Sequence, residues 1–486
     1  MSINNKVGVL SLSAAVISAM IGGGVYNLPQ NMAQEASAGA ILIAWVITGA
    51  GMWFIANTFC TLADIQPEMT DGIYGYGDIG FGRLTGFLMA WGYWLCNICS
   101  NIGFAVLMMG ALNYFFPPYL KGGNTVYAVI GGSIVIWCMH FVVLAGIKES
   151  ALLNNIAVIG KLVPLFIFIL IMLYLFDSSL FTRNFWVQAN IPDVQDKHLG
   201  SVFEQIKSTM MMTLWVFIGV EGASVIAIRA RSQRDVRSAT LVGFITCLIL
   251  YALLSLLPLG VLTQEEISIM RAPSTGVILG KTVGYWGAIL MNTGVLVSVL
   301  SCWLVWTVML ISMPYEAALD GTFPKVFATE NKNETPSFSL LVSSILMQGF
   351  MVIVYFADNA WNLMLSITGV MVLPCYLVCT LYLWKLSRHP ESLHAISQKK
   401  VHRAMKTGIL GSIYAAWLIY AAGLTYMMVA AVIYALGLPL FWWARKESND
   451  QSPLFISSEK VWMGTIGSIA VAGAIYCVKN AHELLG

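Results

Sequence analysis

The sequence predicts an all-α polytopic membrane protein built as an inverted repeat of five plus five helices, with the first and sixth helices discontinuous. Three observations predict it. Hydrophobic residues make up 58% of the 486 positions and charged residues only 10%, with a mean hydropathy of +0.76; soluble proteins carry roughly 25% charged residues. Apolar runs of about 18 residues or more, enough to cross a bilayer, recur along the chain. The first and sixth of these runs are interrupted by glycines at corresponding places. The formal net charge of +2 gives no ground for a nucleic-acid partner.

The runs lie near 8–32, 39–64, 84–116, 125–146, 153–176, 203–230, 237–262, 284–315, 337–356, 359–385, 406–425, 427–444 and 461–479, which gives about thirteen helices. The split between the eleventh and twelfth rests on Gly423. Lys6 followed by an apolar run resembles a secretory leader, but the glycine break and the lack of a long soluble domain afterwards argue for a retained first helix.

In the first run, Ile21-Gly22-Gly23-Gly24-Val25-Tyr26-Asn27-Leu28-Pro29 follows an apolar stretch from Val7 to Met20. Each glycine costs about 1 kcal/mol of helix stability relative to Ala. Backbone freed inside a bilayer must be buried in protein or line a polar cavity. A broken membrane helix therefore marks a transporter binding site. Its amide groups suit a carboxylate and its carbonyls an ammonium. A kink that only lets helices pack closely is the alternative. Ile218-Gly219-Val220-Glu221-Gly222-Ala223-Ser224 repeats the interruption in the sixth run, five helices later and in opposite orientation. The predicted division is a first repeat over 1–176, an external loop over 177–202, a second repeat over 203–385 and further helices over 386–486.

Positive charge sets the orientation. Arg229, Arg231, Arg234 and Arg237 fall in one loop, Lys385, Arg388, Lys399, Lys400, Arg403 and Lys406 in another, and Arg445, Lys446 and Lys460 in a third. All lie on one side if the N-terminus is cytoplasmic, which predicts a multi-pass inner (plasma) membrane protein. The loops at 177–202 and 263–283 are then external and long enough for short helices; Pro192–Lys207 reads as a solvated lid.

Several polar residues sit at membrane depth. Glu221 lies inside the sixth break, where it can exchange a proton during a cycle or meet a substrate cation; a purely structural acid bonded to loosened backbone is the alternative. Lys161, in the fifth run, either snorkels to the interface or points into the bundle as a fixed ammonium beside the first break. Asn97 and Asn101 share a helix face with Tyr93 one turn earlier. They offer amides to a polar or cationic side chain, or to a neighbouring helix. Trp215 and Trp306 can stack on a flat cation.

Other signals lead nowhere. The nine cysteines all fall in apolar runs and read as buried thiols; Cys96-x-x-Cys99 has no companion pair for a metal. Gly276–Thr282 resembles a phosphate loop but lacks one spacer residue and a preceding strand. Asn333-Glu334-Thr335 has glycosylation spacing on the cytoplasmic side. No cofactor site and no nucleophile–base constellation is apparent, so an enzyme is not expected.

The chain resembles the amino acid–polyamine–organocation (APC) transporter superfamily, in its basic amino acid/polyamine antiporter branch. The carriers are Ile21–Tyr26, Gly72-Ile73-Tyr74-Gly75-Tyr76, Phe81-Gly82-Arg83-Leu84-Thr85-Gly86-Phe87, Phe217–Val225 and Ala317-Ala318-Leu319-Asp320-Gly321-Thr322-Phe323-Pro324. The thirteenth helix and Glu330-Asn331-Lys332-Asn333 look more like arginine/ornithine than arginine/agmatine exchangers. The resemblance implies a LeuT-like fold and exchange of an external cationic amino acid for an internal catabolic product by alternating access. Arginine for ornithine is the first expectation. Arginine/agmatine, lysine/cadaverine or histidine/histamine exchange and proton-coupled symport are alternatives. It implies that Gly22, Gly23 and Gly24, with Met20 beside them, hold the substrate's α-groups, and that Ile218 borders the site at the sixth break. Trp215 closes over the substrate as a gate with Tyr93, Asn101 meets the guanidinium with Asn97 nearby, and Trp306 stacks on it. Glu221 becomes the proton-sensitive carboxylate; Lys161, from its depth in the fifth run alone, is the candidate to occupy the place of a coupling cation. The partners implied are cationic amino acids and amines, the lipid bilayer and a homodimer mate. Three departures stand out: Gly23 where a serine is common, Asn97 in place of a smaller residue, and Cys375 where a gating tyrosine is often found.

Overall fold

A chain this apolar must satisfy its backbone hydrogen bonds internally, and helices do so within one segment. The computed structural model describes residues 9–66, 69, 73–146, 151–186, 199–221, 233–388, 398–447 and 455–480. Apart from an isolated bridge between Glu330 and Pro336, the regular structure among them is helical.

In chain order the helices are α1 (Val9–Met20), α2 (Leu28–Glu35), α3 (Ala38–Ile65), α4 (Ile73–Phe81), α5 (Arg83–Leu112) and α6 (Val126–Leu144). Then come α7 (Ala151–Tyr174), α8 (Ser178–Arg183), α9 (Val202–Trp215), α10 (Gln233–Leu256), α11 (Gln264–Ser268) and α12 (Ser274–Thr282). The last are α13 (Tyr285–Leu319), α14 (Ser337–Tyr355), α15 (Ala360–Ser387), α16 (Gln398–Ala421), α17 (Gly423–Glu447) and α18 (Ser457–Lys479).

Among the described residues nine helices are long and apolar enough to cross a membrane, and the bent pair Leu12–Ser18 and Gly23–Glu35 makes a tenth. The remaining apolar runs fall short of that standard. Only Val158–Tyr174 of α7 counts as an apolar helix, the sixth run is described only to Glu221, and α16 begins among Lys399, Lys400, Arg403 and Lys406. The Gly423 split is real: Gly423 has φ +77°, a left-handed conformation that suits glycine, just after α16 ends.

By packing the chain forms two units. One comprises residues 1–56, 104–128 and 149–303, the other 57–103, 129–148 and 304–486. In the second unit α15 and α16 pack backbone to backbone: a Cβ on Gly408 would sit 2.7 Å from the Trp384 amide nitrogen, so only glycine fits.

In the first unit buried amides tie helix ends together. Asn184, after α8, donates to the Leu259 and Leu262 carbonyls at 2.6 and 3.1 Å, and its Oδ1 accepts from the Gln264 amide at 3.2 Å. The short helices expected in the two external loops are present as α8, α11 and α12. The first turns of α8 and α11 are held by side-chain caps from Asp177 and Thr263, and the Asp177 carboxyl stays below the usual carboxylate range because it accepts from Ser179.

The solvated lid expected at Pro192–Lys207 is corrected in part. Residues 192–198 lie outside the described set, but Ser201 caps α9 and Gln205 is buried, its Oε1 accepting from the amide and hydroxyl of Ser37 at 2.9 and 2.8 Å. A polar residue there serves a helix start, not solvent. The cysteine expectation is also corrected: Cys138 is exposed, and Cys60 and Cys477 are only partly covered, because an apolar membrane helix turns one face to lipid.

Replacing Asn184 with Leu strands three buried backbone groups and is expected to cost about 2–3 kcal/mol of stability. A lowered unfolding midpoint of the detergent-solubilised protein checks this; an unchanged midpoint contradicts it.

Candidate functional site

The first break is a redistribution of hydrogen bonds. The Ile21 amide still bonds the Ile17 carbonyl at 2.9 Å, but the Gly22 amide turns to the Met20 carbonyl at 3.1 Å. Gly22 is extended, with φ −95° and ψ −165°, and Gly23–Asn27 then form a 3-10 turn leading into α2. The two halves are bent by 56°. The turn begins at Gly23, so its leading amides are those a helix leaves without a partner inside itself.

The carbonyls released by the break are taken up by distant side chains. Ser18 would pair with the Gly22 amide in a continuous helix; here the Lys161 ammonium donates to its carbonyl at 2.8 Å and to its hydroxyl at 2.9 Å. The Tyr251 hydroxyl donates to the Met20 carbonyl at 2.8 Å. The Cys302 thiol approaches the Ile21 carbonyl at 3.5 Å. Lys161 is 2% exposed, so it points into the bundle and does not snorkel, and among the described residues no carboxylate pairs with it. Its own carbonyl accepts from the Tyr26 hydroxyl at 2.8 Å, which fastens α7 to both halves of the broken helix.

The three glycines differ in what surrounds them. A Cβ on Gly22 would meet the Phe104 ring at an ordinary 3.5 Å. On Gly23 it would come within 2.6 Å of Val299 and 2.9 Å of Leu107. These two side chains occupy the space that a serine would need, which accounts for glycine at this departure. On Gly24 it would run into the Trp215 ring, which packs against the break.

Trp215 is the last residue of α9. Beyond it the chain runs in tight turns, with the Phe217 and Ile218 amides on the Leu214 and Trp215 carbonyls at 2.9 and 3.1 Å. Gly219 has φ +106°, a region closed to most side chains. Its amide donates to Glu221 Oε2 at 3.1 Å. Glu221 is buried and folds back on its own break. Residues 222–232, with the rest of the motif, lie outside the described set.

In the second unit α5 carries Tyr93, Asn97 and Asn101 along one stripe, all buried. Asn101 Nδ2 makes only long approaches, 3.5 Å to Thr307 Oγ1 and 3.8 Å to the Met347 sulfur. Thr307 follows Trp306, itself buried on α13. Asn101 Oδ1 and both side-chain atoms of Asn97 have no hydrogen-bond partner among the described residues. Buried amides are nearly always paired, so three such atoms on one stripe indicate a ligand or water. Cys375, at the expected gate position, is fully buried with its thiol 3.4 Å from the Met89 carbonyl.

The structure thus joins Gly24 with Trp215, joins Lys161 and Met20 to the first break, and joins Asn101 to the residue after Trp306. Sequence reasoning missed Ser18, Tyr251, Cys302 and Thr307. In the sequence they are ordinary members of apolar runs.

The amino acid permease family model matches residues 7–472. The chain belongs to that family. It is a multi-pass membrane transporter of the APC superfamily and not an enzyme. The permease is 56% identical over 479 residues to a Clostridium perfringens protein provisionally named an amino-acid transporter, covering 99% of this chain and 100% of the relative. It is 50% identical over 454 residues to the arginine/agmatine antiporter of Chlamydia caviae, covering 93% of each. With the arginine/agmatine antiporter of Chlamydia pneumoniae it shares 48% identity over 468 residues, 96% of each.

Adding a methyl at Gly24 is expected to displace Trp215 and lower uptake by the permease at least about tenfold, since overpacking costs about 1–3 kcal/mol. Gly22→Ala, with room at 3.5 Å, should stay within about threefold of wild type. Initial uptake rates in proteoliposomes, normalised to reconstituted protein, compare the two.

Proposed function

We propose that this permease is an antiporter that takes up arginine in exchange for its own catabolic product, ornithine, through alternating access. The observation that carries the reading is the first break, where leading amides, stripped of side chains, lie under the Trp215 ring. Such amides suit the α-carboxylate of an amino acid. Gly22, Gly23 and Gly24, with Met20 and Ile218 at the edges, are assigned to the substrate's α-groups, and Trp215 and Tyr93 to gating. Asn101, Asn97 and Trp306 are assigned to its cationic tail, because the unpaired Asn97 and Asn101 side-chain oxygens need donors and a guanidinium supplies them. Lys161 is assigned to a fixed positive charge beside the break, and Glu221 to proton-sensitive coupling.

Exchange follows from electrostatics. Return of an empty carrier would bury unpaired site charges at a cost of several kcal/mol. Ornithine keeps the α-carboxylate and α-amino group of arginine, so it makes the same bonds to the break, and the exchange of two monovalent cations is electroneutral. A second reading, agmatine as the internal substrate, is favoured by the names of the Chlamydia relatives. Agmatine lacks the carboxylate, and its exchange for arginine moves charge unless a proton travels too. The basic loops favour a cytoplasmic N-terminus in the inner membrane.

Proteoliposomes loaded with ornithine should accumulate labelled arginine at least about tenfold faster than empty ones, with no dependence on membrane potential. Potential-dependent uptake driven only by internal agmatine would replace ornithine with agmatine. Equal uptake into empty and loaded vesicles would end the exchange reading.

A further inference from the structure

At the end of the second unit that the basic loops mark as cytoplasmic lies a cavity that the transport reading does not use. It has a volume of about 560 Å³ and is lined by Arg83, Ala318, Leu319, Asp320, Gly321, Lys325 and Ala328. Two of these are cations, and with the described residues neither the Arg83 guanidinium nor the Lys325 ammonium makes a hydrogen bond or ion pair. The acids nearby are already engaged. Asp320 accepts from the Tyr74 hydroxyl, and Glu447 accepts from the Lys325 backbone amide at 2.8 Å and from the Trp443 indole at 2.7 Å. Arg83 opens the long helix α5, so its amide dipoles add to the positive field.

The surroundings fix the depth of the cavity in the bilayer. Trp443, joined to Lys325 through Glu447, is exposed together with Trp442, and Lys446 lies 5.2 Å over the Trp442 ring. Exposed tryptophans paired with lysine mark the headgroup level. Leu319, which lines the cavity, is 62% exposed, and in α4, which ends two residues before Arg83, Ile79 is 62% and Phe81 44% exposed, Phe81 beside Lys385, whose ammonium bonds the Gly80 carbonyl at 2.6 Å. Gly82 and Gly321 both have positive φ and open space where a Cβ would be, so nothing fills the mouth.

We propose that this cavity binds the phosphate of an anionic phospholipid from the cytoplasmic leaflet, held between Arg83 and Lys325, with the acyl chains running over Phe81, Ile79 and Leu319. A basic pocket at headgroup depth is suited to such a lipid. A free anion would use the two cations but not the apolar rim. The site lies apart from the residues assigned to transport, so it stands or falls independently of substrate identity.

The test uses the full-length protein in neutral detergent, titrated with phosphatidylglycerol, phosphatidylcholine or inorganic phosphate, and read by native mass spectrometry and thermal midpoint. Wild type should retain phosphatidylglycerol in preference to phosphatidylcholine and gain stability from it. Arg83→Gln with Lys325→Gln should weaken that binding roughly 25-fold, at about 1 kcal/mol per cation near the surface. Asp320→Asn should tighten it. If the double variant does not fold, each single substitution should weaken binding about fivefold. Equal phosphatidylglycerol binding by wild type and variants, equal retention of phosphatidylcholine, or an equal shift with inorganic phosphate would overturn the proposal.

Discussion

The structure depends on the partnering of backbone carbonyls set loose inside the membrane. Where α1 stops at Met20, the carbonyls of Ser18, Met20 and Ile21 lose their helical partners. A bilayer offers them no water, so the protein supplies Lys161, Tyr251 and Cys302 from three other helices. Each of these side chains is thereby fixed, and with it the helix that carries it. The buried ammonium of Lys161 is tolerable because it finds a carbonyl and a hydroxyl within 2.9 Å.

The second consequence is that the two interruptions are dissimilar. The first is stabilised by distant donors and keeps its glycines because Trp215, Val299 and Leu107 stand where side chains would go. The sixth is partly self-contained, since Glu221 returns to the Gly219 amide. A carboxylate in that position feels the local backbone directly.

Polar groups elsewhere are paired with some economy, which makes the exceptions informative. Asn184 and Gln205 bind backbone, and Gln264 does so through Nε2 while its Oε1 has no partner among the described residues. Asn97 and the Asn101 oxygen do not, although both residues are wholly buried. Amides left open on a membrane helix are costly.

Much was legible in the sequence by itself. The apolar runs determined an all-helical membrane protein, the triple glycine located the first break, and Gly423 separated two helices, because each is a local property of backbone or hydropathy. The four-residue spacing placed Asn97 and Asn101 on one face. What tertiary structure decided is which groups meet. Nothing in the sequence pairs Lys161 with Ser18, 143 residues away, or Tyr251 with Met20, 231 residues away. Nor does it show that Gln205 belongs to a buried helix start and that Cys138 faces outward. Hydropathy reports how much of a helix avoids water but not which face meets protein and which meets lipid. That distinction exists only once the helices have packed.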